Sequence, residues 1–318
     1  MTISFTLSTD SGAELAAVVA VARATRPDDT TSIADLGDWN LTQQAAGRMY
    51  ARWLGWADDV VVGFSYIGQS PWLEPTMMIG RAMVEPEYER RGYGRELLER
   101  AERTALDNGA DRVLGWTTDP TPRTMRFLER ARYREIDRNW GSTLRIEECD
   151  LAALRRTVDE SLSAGVRIAS VGDLQGERPD WERDLYRLYA EIDADVPTQF
   201  PIARVGFEDF QAVSLGRRML SDGYLVAIAG DRLVGLTEPR SVDDRPEEIE
   251  QDLTGVKASH RGRGIAKALK AASVLWAADA GYQLIRTENA QSNAAMLAVN
   301  DWLGFERVHP TVEVLKTL

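Results

Sequence analysis

The 318-residue chain carries 38 Lys and Arg against 50 Asp and Glu, a formal net charge of −12, and 44% of its residues are hydrophobic. That length suits two domains of roughly 150 residues each. The acidic balance repels nucleic acid and anionic membranes and favours a cationic partner such as an amine. Cys149 is the one cysteine and His260 and His309 the two histidines, which argues against disulfide frameworks, Cys- or His-based metal centres and a Ser-His-Asp hydrolase. With no run of 18 apolar residues and no basic, apolar leader in MTISFTLSTD, a cytoplasmic protein without a membrane partner is expected.

In chain order, Ile3 to Leu7 alternates as a strand, and residues 12–24 read as an Ala-rich helix. Residues 26–42 are polar and contain breakers. Met49 to Trp56 and Val60 to Ile67 form a hairpin around Asp58-Asp59, and Met77 to Val84 is an apolar strand ended by Pro86. A helix over Arg95 to Leu106 stops at Gly109; Val113 to Thr117 is a short strand, Thr124 to Arg132 a helix, and residues 135–146 alternate. Leu151 to Leu162 reads as an amphipathic linker helix. The pattern then restarts: strand at Val166 to Ser170, helices at Trp181 to Asp193 and Phe207 to Leu215, and a hairpin of Tyr224 to Ala229 with Leu233 to Thr237 turning at Gly230-Asp231. An acidic excursion, Asp243 to Glu248, precedes a strand ending at Val256. After a Gly-containing loop, a helix begins at Ile265; Leu284 to Thr287 and Ala294 to Trp302 are the last strand and helix, ending at Gly304.

A shift of 172 residues superimposes Gly63 on Gly235, Val84 on Val256, Gly92 on Gly264, Leu97 on Leu269, Gly109 on Gly281 and Tyr133 on Phe305, without net insertion between residues 63 and 133. Two tandem copies of one α/β unit, a mixed sheet carrying helices (α+β), explain this correspondence. The expected partition is 1–150, a linker at 151–164, and 165–318.

The stretch T-G-V-K-A-S-H-R-G-R-G-I-A-K-A-L, from Thr254 to Leu269, places a strand end, a loop with Gly262 and Gly264, and a helix N-terminus in succession. Loop amides and the free N–H groups of a first helical turn form an anion cradle, to which Arg261, Arg263 and Lys267 add positive charge. Neither the Walker pattern nor the dinucleotide fingerprint fits the spacing.

Arg261, Gly264 and Ala266 form R-x-x-G-x-A five residues after Val256, and this closely resembles the acetyl-CoA pyrophosphate loop of the GCN5-related N-acetyltransferases (GNAT). The resemblance implies CoA contacts from Val256, Lys257, Arg261, Gly262, Arg263, Gly264, Ile265, Ala266 and Lys267. It extends to Thr287–Phe305, where Asn293 would contact the pantetheine or pyrophosphate and Asn289 is either a helper or a turn residue. Asn293 and Asn300 stand seven residues apart, so both amides can face one side of a helix. Many members of the family carry a tyrosine general acid at the position of Asn300; here it is absent, and the proton donor for the leaving thiolate stays unassigned. The main-chain N–H at or after Val256 fits the oxyanion donor, exposed if a β-bulge splays the strands there.

An attacking amine must lose a proton. The family often places a carboxylate on the strand entering the loop, and in a regular strand Glu250 and Asp252 share the face of Val256. Either is a candidate base; Glu238, ending the previous hairpin strand, is a third candidate, or instead orients the acceptor's ammonium. Glu250 also reads as part of the solvated acidic run. Under the 172-residue shift Asp252, Glu250 and Glu238 become Gly80, Met78 and Tyr66, and Asn293 and Asn300 become Thr121 and Leu128. The first loop keeps Val84 before it and Arg90, Arg91, Gly92, Tyr93, Gly94 and Arg95 within it, but has Glu89 where the motif has arginine. The N-terminal copy is therefore expected to be catalytically inactive while still able to bind CoA.

The resulting expectation is a tandem N-acetyltransferase, active in its C-terminal domain, moving acetyl from acetyl-CoA to the primary amine of a small molecule in a ternary complex, as monomer or homodimer. The tandem layout is similar to that of mycothiol synthase, so acetylation of a cysteinyl amine is one alternative; a non-catalytic CoA-binding regulatory protein is another.

Overall fold

A computed structural model describes residues 3–118, 120–199 and 203–318 of the chain. The first copy opens with β1 (Ile3–Leu7) and α1 (Gly12–Thr25), whose N-terminus carries a reciprocal Ser11/Glu14 capping box. A second helix, α2 (Ile33–Ala45), begins within the polar, breaker-containing stretch 26–42 and runs past it. Its one buried residue is Gln43, so no apolar stripe marks it; the Ser32/Asp35 capping box was the available signal. Then come β2 (Tyr50–Ala57), β3 (Val60–Gly68), β4 (Met77–Val84), α3 (Tyr93–Asp107), β5 (Arg112–Thr118), α4 (Pro122–Arg130) and β6 (Arg134–Arg145).

After α5 (Leu151–Ser163), the second copy runs β7 (Val166–Ser170), α6 (Val171–Glu177), α7 (Trp181–Asp193), α8 (Phe207–Ser214), β8 (Leu225–Ala229), β9 (Arg232–Ser241), β10 (Glu248–Val256), α9 (Ile265–Asp279), β11 (Leu284–Ala290), α10 (Ala294–Leu303) and β12 (Glu306–Thr317). The short α6 was unforeseen and again starts at a capping box, Ser170 with Asp173. The closing strand β12 was also unforeseen.

The chain folds as two compact units. One holds the described residues up to Asp137 with Ala203 and Val312–Leu318; the other holds 138–199 and Arg204–Thr311. In the first, β1-β2-β3-β4-β5 is extended by Val312–Thr317 beside β5. In the second, Glu306–Thr311, β6, β11, β10, β9, β8 and β7 lie in that order. The units thus depart from the sequential partition at 1–150 and 165–318: most of β6 joins the second, and the end of β12 joins the first. The strand backbone needs a hydrogen-bonded neighbour, and the ladder of Asn139–Arg145 on Leu284–Ala290 supplies it. The segment expected as a linker, α5, instead packs Leu151, Leu154 and Val158 into the second unit's core with Val274 and Ala277 of α9.

Candidate active site

Within the second unit, β10 and β11 run parallel and pair from Glu248 with Leu284 to Gln251 with Thr287, and there the pairing ends. Two residues of β10 drop out of the β9 ladder at the same level, because the register shifts between Gln251 and Thr254. A bulge increases local twist and bends its strand away from a neighbour. Asp252–Thr254 and Thr287–Ala290 thereby become the two walls of a cleft of about 180 Å³, lined also by Val196, Pro197, Lys270, Asn293 and Met296.

The bulge corrects the side-chain alternation expected of a regular strand. Ile249 is buried with Ala271 and Val274 of α9, Gln251 accepts a hydrogen bond from Ser273 of the same helix, and Val256 is buried with Ile265 and Leu269. The α9 face thus takes odd positions before the bulge and an even one after it. Glu250 and Asp252 lie on the face opposite Val256, not with it.

Gly264 caps α9 at φ 78° and Gly262 stands at φ 74°, left-handed positions suited to glycine, and neither has an atom within 4 Å of where a Cβ would be. The first-turn amides of α9, which have no partner within the helix, thus follow two glycines that put no side chain beside them. Arg261 is partly engaged in building this loop: its Nε donates to the Val256 carbonyl at 3.0 Å and its Nη2 reaches Asp195 at 2.5 Å. Lys257 pairs with Glu191 at 2.8 Å, Arg263 donates to the Ser259 carbonyl, and Lys267 lies over the Trp302 ring. Ile265 is buried in the core, while Ala266 packs at its margin.

Of the asparagines, Asn289 and Asn293 line the cleft, and Asn293 Oδ1 also caps α10 by accepting from the Met296 N–H. Asn300 is corrected: it is 2% exposed and stands behind the wall. Its Nδ2 donates to Asn289 Oδ1 at 2.6 Å, and its Oδ1 accepts from Lys270 Nζ at 2.5 Å. Lys270, absent from the sequence expectations, is a cleft-lining lysine in the middle of α9; burial alone pushes its ammonium down to about 7.

The candidate bases separate. Asp252 lines the cleft with about half its side chain exposed, held by Arg240 Nη2 at 2.8 Å. Glu250 does not line the cleft and takes a hydrogen bond from Arg218 at 2.7 Å. Glu238 is 1% exposed, and its Oε1 accepts from Arg240 at 3.0 and 2.8 Å. Burial, helped by the Asp252 charge and opposed by Arg240, pushes Glu238 up to about 7. Asp193 at the end of α7, also missed, is pushed up to about 6 by burial and by Asp252. Gly255 permits this neighbourhood: a Cβ there would meet Ile192 Cγ2 at 2.2 Å, so only glycine lets α7 lie so close to β10.

The first unit repeats the frame without the acid. β4 and β5 pair from Met77 with Arg112 only to Ile79 with Leu114, yet the β3–β4 ladder runs unbroken from Gly63–Val84 to Gly68–Ile79. Tyr66 replaces Glu238 and stacks on Tyr50, Met78 is fully buried, and Gly80 has no side chain to offer. In the loop, Gly92 caps α3 at φ 93°, but Arg90 occupies the left-handed position of Gly262 at φ 62°. Glu89 forms an ion pair with Arg123, Arg91 lies over Tyr88, and Arg95 pairs with Glu99. Tyr93 is buried, and Gly94 lies 3.7 Å from Val84 at its missing Cβ.

The splayed parallel pair, the bulged strand and the Gly-capped helix lie within an acyltransferase fold, as the family match shows. The profile of the Acetyltransferase (GNAT) family matches residues 18–132 and 181–305, and the chain belongs to that family. Its fold is similar to a tandem GNAT protein from the clavulanic acid biosynthesis pathway, 19% identical with TM-score 0.73 over 99% of this chain and 98% of that one. It is similar also to a GCN5-related N-acetyltransferase from Sphaerobacter thermophilus, 16% identical with TM-score 0.71 over 98% and 95% of the two chains. A glucosamine N-acetyltransferase region of a fungal multi-domain β-N-acetylglucosaminidase covers 99% of this chain and 38% of its own, at 15% identity and TM-score 0.71. No curated protein sequence matches the chain. Among the described residues, no helix is long and apolar enough to cross a membrane, and no cluster of metal-ligating side chains occurs.

Proposed function

We propose that the second unit transfers acetyl from acetyl-CoA to the primary amine of a small molecule, by direct attack within a ternary complex. The observation that carries this reading is the register break at Gln251/Thr254, which opens a cleft and sets the Asp252 carboxylate on its wall. The residues fit CoA: Gly262 and Gly264 put no side chain before the first turn of α9, whose free amides suit a diphosphate, and Asn289 and Asn293 line the cleft beside a polar, linear arm. Acetyl-CoA would supply an acyl group on a good leaving thiol.

Asp252 is the base of this reading, acting directly or through one water, with Arg240 fixing its orientation. Glu238, buried and paired with Arg240, and Asp193 both lie outside the cleft lining, so neither meets the acceptor directly, and Glu250, tied to Arg218, has no part in proton transfer. Direct attack is favoured because Cys149 lies outside the cleft and, among the described residues, no serine or cysteine lines it. The first unit, with Gly80 in place of Asp252 and an unbroken β3–β4 ladder, does not catalyse. The test is a steady-state screen of acetyl-CoA against a panel of primary amines, followed by mass spectrometry of the product. Acetylated amine from the wild type, lost in Asp252→Asn, supports the reading; tight CoA binding without transfer to any amine overturns it.

A further inference from the structure

The family position that often carries a tyrosine holds Asn300, whose amide cannot release a proton. The side chain bonded to it can. Lys270 Nζ lies 2.5 Å from Asn300 Oδ1, lines the same cleft as Asp252 and Asn289, and packs 4.8 Å from the Phe305 ring. We infer, resting on the acetyltransferase reading above, that Lys270 is the general acid of the second unit, giving its proton to the departing thiolate in place of the missing hydroxyl.

The geometry suits the task. α9 begins at the diphosphate loop, and Lys270 lies five residues beyond Ile265, about 7.5 Å along the helix axis, on the side facing the cleft. The Asn300–Asn289 pair holds the ammonium against the wall, since Asn289 Oδ1 is already occupied by the Asn300 amide and orients its oxygen toward Lys270. Among the described residues that line the cleft, the charged ones beside it are Asp252 from β10 and Glu288 from β11; Lys267, one turn earlier, is turned onto Trp302, and α10 places Asn293 and Asn300 nearby. Neither carboxylate offsets the burial of the ammonium. A lysine left with no counter-ion is a far stronger acid than an ordinary one, so it can protonate a thiolate whose conjugate acid is near an ordinary thiol's ~8.5.

The proton balance closes. The amine nitrogen forms the new C–N bond and passes a proton to Asp252; the C–S bond breaks, its electron pair stays on sulfur, and that thiolate takes the proton of Lys270. Water entering the cleft after product release returns a proton to the neutral lysine and removes one from Asp252.

The test compares Lys270→Met and Lys270→Gln with the wild type. Calorimetry should show CoA binding within a fewfold in all three, and melting curves should confirm folding of at least the glutamine variant, which keeps a donor for Asn300. Turnover should fall about 10²-fold or more, and the loss of rate that the wild type should show as pH rises through about 7 should vanish in the variants. The thiol of bound CoA, followed by its ultraviolet thiolate absorbance, should titrate at higher pH once the ammonium is gone; a merely structural lysine would not move it. If a folded Lys270→Gln binds CoA and leaves both the alkaline limb and the thiol titration unchanged, the inference fails alone. If the wild type does not bind CoA, the acetyltransferase reading fails with it.

Discussion

Arg240 reaches Asp252 at 2.8 Å beside the interruption in the β9–β10 ladder, and the same guanidinium is bonded to the buried Glu238. One arginine therefore neutralises a buried carboxylate and aims an exposed one, so structure and chemistry depend on it differently.

Asp252→Asn is expected to lower kcat by about 10²- to 10⁴-fold, the usual worth of a positioned proton acceptor. The KM for acetyl-CoA should change little, because the loop and the asparagine wall are untouched. Glu250→Gln should keep turnover within a fewfold, since Glu250 is occupied by Arg218 outside the cleft. Steady-state kinetics of the two variants side by side distinguishes them.

Arg240→Met leaves Glu238 buried without a cation, and a broken buried pair costs about 3–5 kcal/mol. Urea unfolding should show the loss, larger at pH 8 than at pH 6, where more of Glu238 holds a proton. Adding Glu238→Leu should recover most of it, because two apolar groups of similar volume no longer carry an uncompensated charge.

Glu238 sits near 7 in the folded chain against an ordinary 4.5, so between those values the folded state holds a proton the unfolded state has released. Its contribution is fully present below pH 4.5 and is lost as pH rises through 7. Asp193 acts in the same sense between 3.8 and about 6. Glu238→Gln should flatten the fall in stability from pH 5 to 7, measured by chemical denaturation at constant ionic strength.

Gly264→Ala forces a Cβ into the left-handed region at the α9 cap, a cost of about 1–2 kcal/mol, and should weaken CoA binding by displacing the amides. Arg90→Gly in the first unit should stabilise by up to about 1 kcal/mol, because the arginine there already occupies such a conformation at φ 62°. Thermal melts and calorimetry separate the two effects.

Restoring an acid at the first unit's counterpart position should not create a second active site. At Gly80 a Cβ would meet Ile67 Cδ1 at 2.9 Å and the Tyr66 carbonyl at 3.1 Å, so Gly80→Asp should destabilise by about 1–3 kcal/mol. In an Asp252→Asn background it should leave turnover absent; measurable amine acetylation there would place a competent site in the first unit.

The chain's periodicities, the 172-residue repeat and the glycines at 262 and 264 are local properties, and they determined the family, the order of most elements and the loop that opens α9. Helices α2 and α6 escaped because their signal lay in capping boxes and not in apolar stripes. Tertiary structure decided the rest. A bulge is an event between two strands, so the face of Asp252, the seclusion of Asn300 and the splay of β10 from β11 depend on a register that no single strand encodes. Lys270 reads in the sequence as one more polar residue in an Ala-rich helix; only the packing of α9 beneath the cleft, against Asn300 and Phe305, removes its water and makes an acid of it.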